Sequence, residues 1–209
     1  MSLVLAAVLA AGCGPESGGD AETASPSAAP ASPASAAPGT ASPAPAGLTE
    51  WQVKLALPDP HAMGAWEPVT RGVNSAKGHL NCPSEQQCKG KWFGHIKYRL
   101  NTGTTVSFSM TTFGNAADAG EHFQEEKAKY SGYEPIETPE LGDDSLAYRR
   151  NAGGLTGAYL TAKVGTVVAT VLVERGDYEV TLPQTAKMFV DRIRQAQAGQ
   201  TPDAGLPRF

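Results

Sequence analysis

The side chains with the most distinctive chemistry in this 209-residue chain are its three cysteines, two of which lie close together in sequence. Five residues separate Cys82 from Cys88, a spacing that in an oxidising compartment favours a disulfide around a small loop. His79 and His95 flank this pair, so that four residues able to bind zinc follow one another as H-x2-C-x5-C-x6-H. Structural zinc sites usually leave about two to four residues between paired ligands. We therefore predict a disulfide between Cys82 and Cys88, with no metal and no cofactor.

The third cysteine, Cys13, ends a short apolar run that closes with Leu9-Ala10-Ala11-Gly12. A membrane span needs about twice as many apolar residues, and an ordinary secretory signal needs no cysteine. The segment resembles the lipobox of bacterial lipoproteins. That resemblance implies that residues 1–12 are a signal peptide and that lipidated Cys13 anchors the protein on the extracytoplasmic face of the cell membrane. Leu9 lies one position early and no Lys or Arg precedes the run, so we expect the precursor to begin upstream.

Residues 13–47 have the composition of a tether. From Gly14 to Gly47 the chain contains only Gly, Ala, Pro, Ser and Thr, apart from three acidic residues. Nothing here can be buried to offset the entropy of ordering the chain, so we predict disorder. An extended Pro-rich chain of some 34 residues spans roughly 100 Å, and a flexible coil about 30 Å. The tract is then a spacer between the lipid and a domain, with O-glycosylation of its Ser and Thr residues as an alternative role.

The remaining charge is nearly balanced. The whole chain has a net charge of −4, but residues 48–197 contain 16 basic and 17 acidic side chains. A neutral domain of this length can bury a core of its own and has no global field to attract nucleic acid or an acidic membrane surface. We therefore expect one globular domain over residues 48–197 and no nucleic-acid partner.

Alternating apolar residues predict an antiparallel sheet in this domain. The period of two that a half-buried strand requires is found in three segments, 92–100, 106–111 and 158–164. Asn101-Thr102-Gly103 is typical of a hairpin turn between the first two. Residues 167–173 are apolar at nearly every position, which indicates a central strand covered on both faces. Weaker strand candidates are 51–57 and 145–150.

Two amphipathic helices are predicted beside these strands. Asn115 is a good N-cap for a helix over 116–130, and Thr181 and Gln184 have the capping-box spacing that begins a second helix ending near Gln197. Their apolar residues recur with helical period. These elements predict an α+β fold in which a twisted antiparallel sheet carries both helices on one face. Residues 198–209 are predicted to be a flexible tail.

The order of short motifs in this domain resembles a known class of envelope protein. The motifs are the Asn115-Ala116-Ala117 helix start, Leu141-Gly142-Asp143-Asp144-Ser145-Leu146-Ala147, Lys163-Val164-Gly165-Thr166-Val167-Val168 and the last amphipathic helix. They are similar to the sensor-type extracellular domains of actinobacterial lipoproteins and of some receptor Ser/Thr kinases. The resemblance implies a twisted antiparallel sheet with a helix layer that presents a groove for an envelope ligand or partner, and it provides no catalytic residue to carry over to this chain.

Catalytic motifs are missing from the sequence. It has no G-x-S-x-G, P-loop, H-E-x-x-H or G-x-G-x-x-G pattern. His122 lies one helical turn from Glu126 and could pair with it, but a solvated surface histidine is the simpler prediction. No nucleophile stands beside it in the sequence, so no hydrolytic triad is predicted.

The most suggestive surface segment interleaves basic and aromatic residues along one predicted strand. The binding residues predicted there are Lys89, Lys91, Trp92, Phe93, Lys97 and Arg99. An anionic wall polymer, a lipid headgroup or a protein could bind such a patch. Strand alternation alone would also place Lys97 and Arg99 on a solvent face.

We therefore predict a non-enzymatic binding or sensor module that is displayed outside the membrane. Its expected partners are the membrane itself, through the lipid anchor, and either a membrane signalling protein or an anionic wall polymer. The alternative is an envelope enzyme or a carrier of a small ligand or lipid, whose site is assembled from residues far apart in sequence.

Overall fold

The computed structural model describes residues 47–152 and 155–207. Residues 1–46, with the predicted signal peptide, Cys13 and nearly all of the tether, lie outside the described residues. In chain order the elements are α1 (Glu50–Ala56), α2 (Pro60–Met63), β1 (Glu67–Ser75), β2 (Gly90–Arg99), β3 (Thr105–Phe113), α3 (Ala116–Lys129), β4 (Asp144–Ala152), β5 (Leu155–Val164), β6 (Val167–Glu174) and α4 (Tyr178–Gln197). None of the helices in this part of the chain is long and apolar enough to cross a bilayer.

The six strands form one sheet in the order β1-β2-β3-β6-β5-β4, and every neighbouring pair is antiparallel. The predicted α+β class and antiparallel sheet are therefore confirmed. β6 lies near the centre and is buried at most positions, as its unbroken apolar run predicts. β1 was not predicted, because it is an edge strand whose residues are mostly exposed and lack an alternating apolar pattern.

The main core lies between one face of the sheet and the helices α1 and α4. Alternate residues of the central strands, such as Ile96 and Phe108, point to this face and are almost fully buried. The apolar stripe of α4 meets them, and the rings of Phe108 and Phe189 pack edge to face with centroids 5.3 Å apart.

The second amphipathic helix, α3, lies on the opposite face of the sheet. Its buried residues Ala119 and Phe123 pack against Phe113 and Val168, which alternate with the main-core residues of β3 and β6. The prediction that both helices share one face is therefore wrong. Phe113 and Val168 are apolar residues on this second face, and together with Ala119 and Phe123 they form a small second core that holds α3.

Segment 51–57 is the helix α1 and not the strand that its apolar residues suggested. Thr49 caps it: the Thr49 hydroxyl accepts from the Gln52 N–H at 3.3 Å, and the Gln52 side-chain oxygen accepts from the Thr49 N–H at 2.9 Å. This capping box satisfies two backbone donors at the helix start. Val53 and Ala56, one helical turn apart, then face the core.

α4 begins about one turn earlier than the capping-box spacing at Thr181 predicted. Asp177 is the N-cap, and its carboxylate accepts from the Val180 N–H at 3.4 Å. Pro183 lies inside the helix, so that the spacing from Thr181 to Gln184 does not mark its start.

A buried arginine, Arg192, connects α1, α2 and the segment after α4, which together with α4 form the helical layer on the main-core face of the sheet. The Arg192 side chain is only 3% exposed and donates to the carbonyls of Leu55 at 3.0 Å and Ala56 at 3.2 Å. It also pairs with the Asp59 carboxylate at 3.0 Å. The carbonyls at the end of a helix have no intrahelical hydrogen-bond partner. The five N–H donors of one guanidinium therefore provide partners both for the last carbonyls of α1 and for the Asp59 carboxylate that caps α2.

The segment after α4 is packed against the helical layer as far as Leu206. Arg192 donates to the Ala204 carbonyl at 3.0 Å, and the Leu206 N–H donates to the Ala62 carbonyl at 2.8 Å. Pro202 is buried. The predicted tail is thus held by long-range hydrogen bonds as far as Leu206, although its local sequence has no helix or strand signal.

Replacing Arg192 by Ala is expected to lower the free energy of unfolding by about 3 kcal/mol or more, because buried carbonyls and a carboxylate lose their donor. Equilibrium urea unfolding measures the change. Arg194→Ala is the matched control on the same helix, since its side chain is 53% exposed, and we expect a change within about 0.5 kcal/mol. Equal losses in the two variants would contradict the role of Arg192.

Candidate functional site

A groove of about 620 Å³ lies on the sheet face that carries α3. We call it the α3 groove. α3 forms one wall, and the loop of residues 76–89 between β1 and β2, which we call the disulfide loop, forms the other. Side chains of β2, β3, β5 and β6 form the floor. Six elements of the chain therefore converge on one concave surface.

Hydroxyl groups and an imidazole follow one another across the sheet beneath the groove. The strand register places His95 beside Ser109, Ser109 beside Thr170, and Thr170 beside Thr161. The last two hydroxyls are hydrogen-bonded at 3.0 Å. Side chains at alternate positions share a face, so this row is a polar strip that α3 does not cover completely.

The disulfide loop is closed by the Cys82–Cys88 bond, with the two Cα atoms 5.2 Å apart. The predicted disulfide is thus confirmed. Backbone hydrogen bonds from Leu80 to Ala76 at 2.9 Å and from Cys82 to Lys77 at 3.0 Å shape the start of the loop. Across residues 47–152 and 155–207, no cluster of three or more His, Cys, Asp or Glu side chains has a geometry suited to a metal.

His79 extends from the disulfide loop and stacks on the floor residue Phe93, with ring centroids 3.7 Å apart and the planes within 13°. His79 also lies near His122 and Glu126 of α3. Burial lowers the pKa of His79, and the neighbouring His122 lowers it further. The ring is therefore neutral at neutral pH and acts as an aromatic surface between the two walls.

His95 stands behind Phe93, at a ring distance of 5.8 Å. Its imidazole packs directly over Gly72 of the edge strand β1. A side chain at position 72 would collide with it, because a Cβ there would lie 2.7 Å from His95 Cε1. Its Nδ1 atom is buried and has no hydrogen-bond partner among the described residues. Although Ser109 is its cross-strand neighbour, no hydrogen bond within the described part of the chain joins the two as a nucleophile and a base.

His122 occupies a different environment from the one predicted. Its side chain is 13% exposed and packs against Phe113 at a ring distance of 5.2 Å. Its Nδ1 lies 3.4 Å from Glu125, three residues along, and not beside Glu126. The prediction of a solvated histidine is wrong, because α3 turns this side chain towards the second core.

The α3 wall is rich in carboxylates, and two lysines contact them. Lys89 of the disulfide loop forms an ion pair with Glu121 and lies 3.5 Å from Asp118, so it joins the two walls. Lys129 pairs with Glu126 on the same helix. The pKa values of both lysines are raised, mainly by these hydrogen bonds to carboxylates.

Stacked tyrosines form the far end of the groove. Tyr130 and Tyr159 line it, with ring centroids 6.2 Å apart, and the buried Tyr148 packs against both, at 4.3 Å from Tyr130 and 5.1 Å from Tyr159. Burial raises the pKa of both Tyr148 and Tyr159, so the phenols stay neutral. Sequence reasoning did not identify this cluster. The pairing of β4 with β5 could have revealed it, because the register of these two strands places Tyr148 beside Tyr159.

The residues of the predicted basic patch are distributed over different surfaces. Lys89 and Phe93 belong to the α3 groove. Trp92 points to the opposite face and packs against the main core, as strand alternation requires. Lys97 lies on the groove side of the sheet but pairs with Glu174 at 3.4 Å. The remaining two residues, Lys91 and Arg99, are exposed.

No family model and no curated protein matches this chain. Among solved structures, the chain is similar to the extracellular domain of PknH from Mycobacterium tuberculosis, with a TM-score of 0.44 and 9% sequence identity. The similarity covers 73% of this chain and 93% of that one. It is a loose likeness of fold.

Removal of the disulfide is expected to loosen one wall of the groove. The double variant Cys82→Ser/Cys88→Ser should lose about 2 kcal/mol of unfolding free energy, because the short closed loop restricts the unfolded chain. Urea unfolding with and without dithiothreitol measures the effect. Reductant should bring the wild type to the stability of the variant and leave the variant unchanged. A wild type insensitive to reductant would contradict this role.

Proposed function

We propose that this protein is a non-enzymatic binding module of the cell envelope and that the α3 groove is its ligand site. The observation that supports this most directly is the groove itself, about 620 Å³ in volume and lined by aromatic, hydroxyl and charged side chains. Binding sites for small molecules are usually concave surfaces of this size with a few converging polar groups.

The construction of the groove supports a binding role. Ser109 and Thr170 lie next to each other on the groove floor. If a helix packed over this whole face of the sheet, apolar residues would be expected at these positions. A disulfide holds one wall, and the ion pair between Lys89 and Glu121 connects that wall to α3. Because both walls are already held in place, little conformational entropy is lost when a ligand binds, and this favours affinity.

Binding fits the groove better than catalysis or lipid transport. Its two lining histidines pack against aromatic rings, His79 on Phe93 and His122 on Phe113. Among the described residues, neither is hydrogen-bonded to a serine hydroxyl or a free cysteine thiol that could act as a nucleophile, and Cys82 is held in the disulfide. A lipid tail would have to bury the floor hydroxyls and wall carboxylates without hydrogen bonds, which is costly.

The predicted tether enters the domain beside the α3 groove. Gly47 lies so close to the Phe113 carbonyl that a Cβ at this position would be 2.2 Å from the oxygen. The spacer therefore joins the domain at the end of β3, beside the start of α3. With a lipid on Cys13, a coil of about 30 Å would keep the groove within reach of a signalling protein in the same membrane.

Photocrosslinking inside cells tests the ligand site. A benzophenone amino acid in place of Gln87, an exposed groove residue, is expected to give a light-dependent adduct in the organism that makes the protein. The matched control carries it in place of Lys187, whose side chain is 68% exposed on α4 across the sheet. The intact mass of the adduct separates a small ligand from a protein partner. Equal adducts at both positions, or none at either, would overturn the proposal.

Metabolic labelling tests the anchor. Cells fed a clickable fatty acid should label the wild-type chain and not the Cys13→Ala variant, because the thiol is the only proposed site of lipid attachment. In-gel fluorescence after purification measures the label. The same label on both chains would show that the lipid anchor is wrong.

A further inference from the structure

We infer that the α3 groove accepts a positively charged group, either a primary ammonium or a guanidinium. This inference rests on the proposed function and names the chemistry of its ligand. Three features of the groove support it: the balance of its charges, the partners that its lysines already have, and the aromatic rings at its far end.

Carboxylates outnumber cations around the groove. Those that line it belong to α3, and they are Asp118, Glu121, Glu125 and Glu126. Lys89 and Lys129 are the lining residues with a permanent positive charge. His79 adds none at neutral pH, because burial lowers its pKa. The lining therefore has an excess of negative charge, which attracts cations and repels an anionic polymer.

Both lysines have carboxylate partners, so neither is available to an anion. Lys89 is held by Glu121 and Asp118, and Lys129 by Glu126. Glu125 differs from the other carboxylates. Its contact with His122 at 3.4 Å is a weak one, and its side chain is 70% exposed. It is the carboxylate best placed to accept a hydrogen bond from a bound cation.

The tyrosines at the far end of the groove provide surfaces that attract cations. Tyr130 follows Glu126 by one helical turn, so a carboxylate and an aromatic ring line the same stretch of wall. A cation of the protein already uses this cluster: the Arg150 guanidinium lies 5.6 Å from the centroid of the Tyr159 ring. Aromatic faces beside a carboxylate are the usual recognition surface for ammonium and guanidinium groups.

Such a cation could come from a free polyamine or from a basic side chain of a partner protein. Both sources present the same chemistry to the groove, and a titration can separate them. The probes are spermidine, the capped peptide acetyl-Ser-Arg-Ser-amide, inorganic phosphate and the neutral sugar maltotriose, each titrated into the full chain by calorimetry.

We expect spermidine or the capped peptide to bind, and the preferred one of the two identifies the source. Binding should weaken as salt is added, because the attraction is electrostatic. Glu125→Gln should weaken it about fivefold, the loss of one exposed charge contact. Glu50→Gln is the control, because it removes a carboxylate on α1, across the sheet from the groove, and should leave the affinity unchanged.

The contrary outcomes separate this inference from the proposed function. Binding of phosphate or maltotriose and not of the two cationic probes would overturn the inference, as would equal effects of Glu125→Gln and Glu50→Gln. If the adduct at position 87 still forms in cells, the groove remains a ligand site for another chemistry. If no adduct forms there and no probe binds, both proposals fail.

Discussion

The buried guanidinium of Arg192 is the interaction on which the arrangement of the helical layer depends. It brings together the end of α1, the cap of α2 and the segment after α4, three parts of the chain that share no secondary structure. Because these backbone carbonyls are removed from water, each needs a donor, and one planar group with five N–H bonds provides it. The layer can then cover the main core on one face of the sheet, which leaves the other face for a different use.

That other face is covered only in part, and the groove is the result. α3 is held by the small core around Phe113 and Phe123, so it lies over part of the sheet and leaves the hydroxyls of Ser109 and Thr170 at the bottom of a cleft. The disulfide loop closes the opposite side. The polar floor, the aromatic rings and the carboxylates of α3 are the features from which we infer a positively charged ligand.

Local patterns in the sequence predicted much of the fold and little of the site. Alternation identified three of the six described strands, an unbroken apolar run identified β6, β4 was a weaker candidate, and the Asn115 cap located α3. The same patterns misplaced α1, because a short apolar run such as 51–57 fits a strand as well as a helix until its cap is considered. The edge strand β1 has no buried face to leave a signal. Amphipathicity also could not say which face of the sheet a helix covers, since both faces contain apolar residues.

By itself the sequence determined the α+β class, most strand positions and the Cys82–Cys88 pairing, because periodicity, capping and cysteine spacing act over a few neighbouring residues. Only the tertiary structure decided that α3 and α4 lie on opposite faces, that His122 is sheltered against Phe113, and that Arg192 holds the segment after α4. These depend on burial and on hydrogen bonds between residues far apart in the chain. The groove belongs to this second group, because its lining extends from His79 to Thr170 and meets only when the sheet has formed.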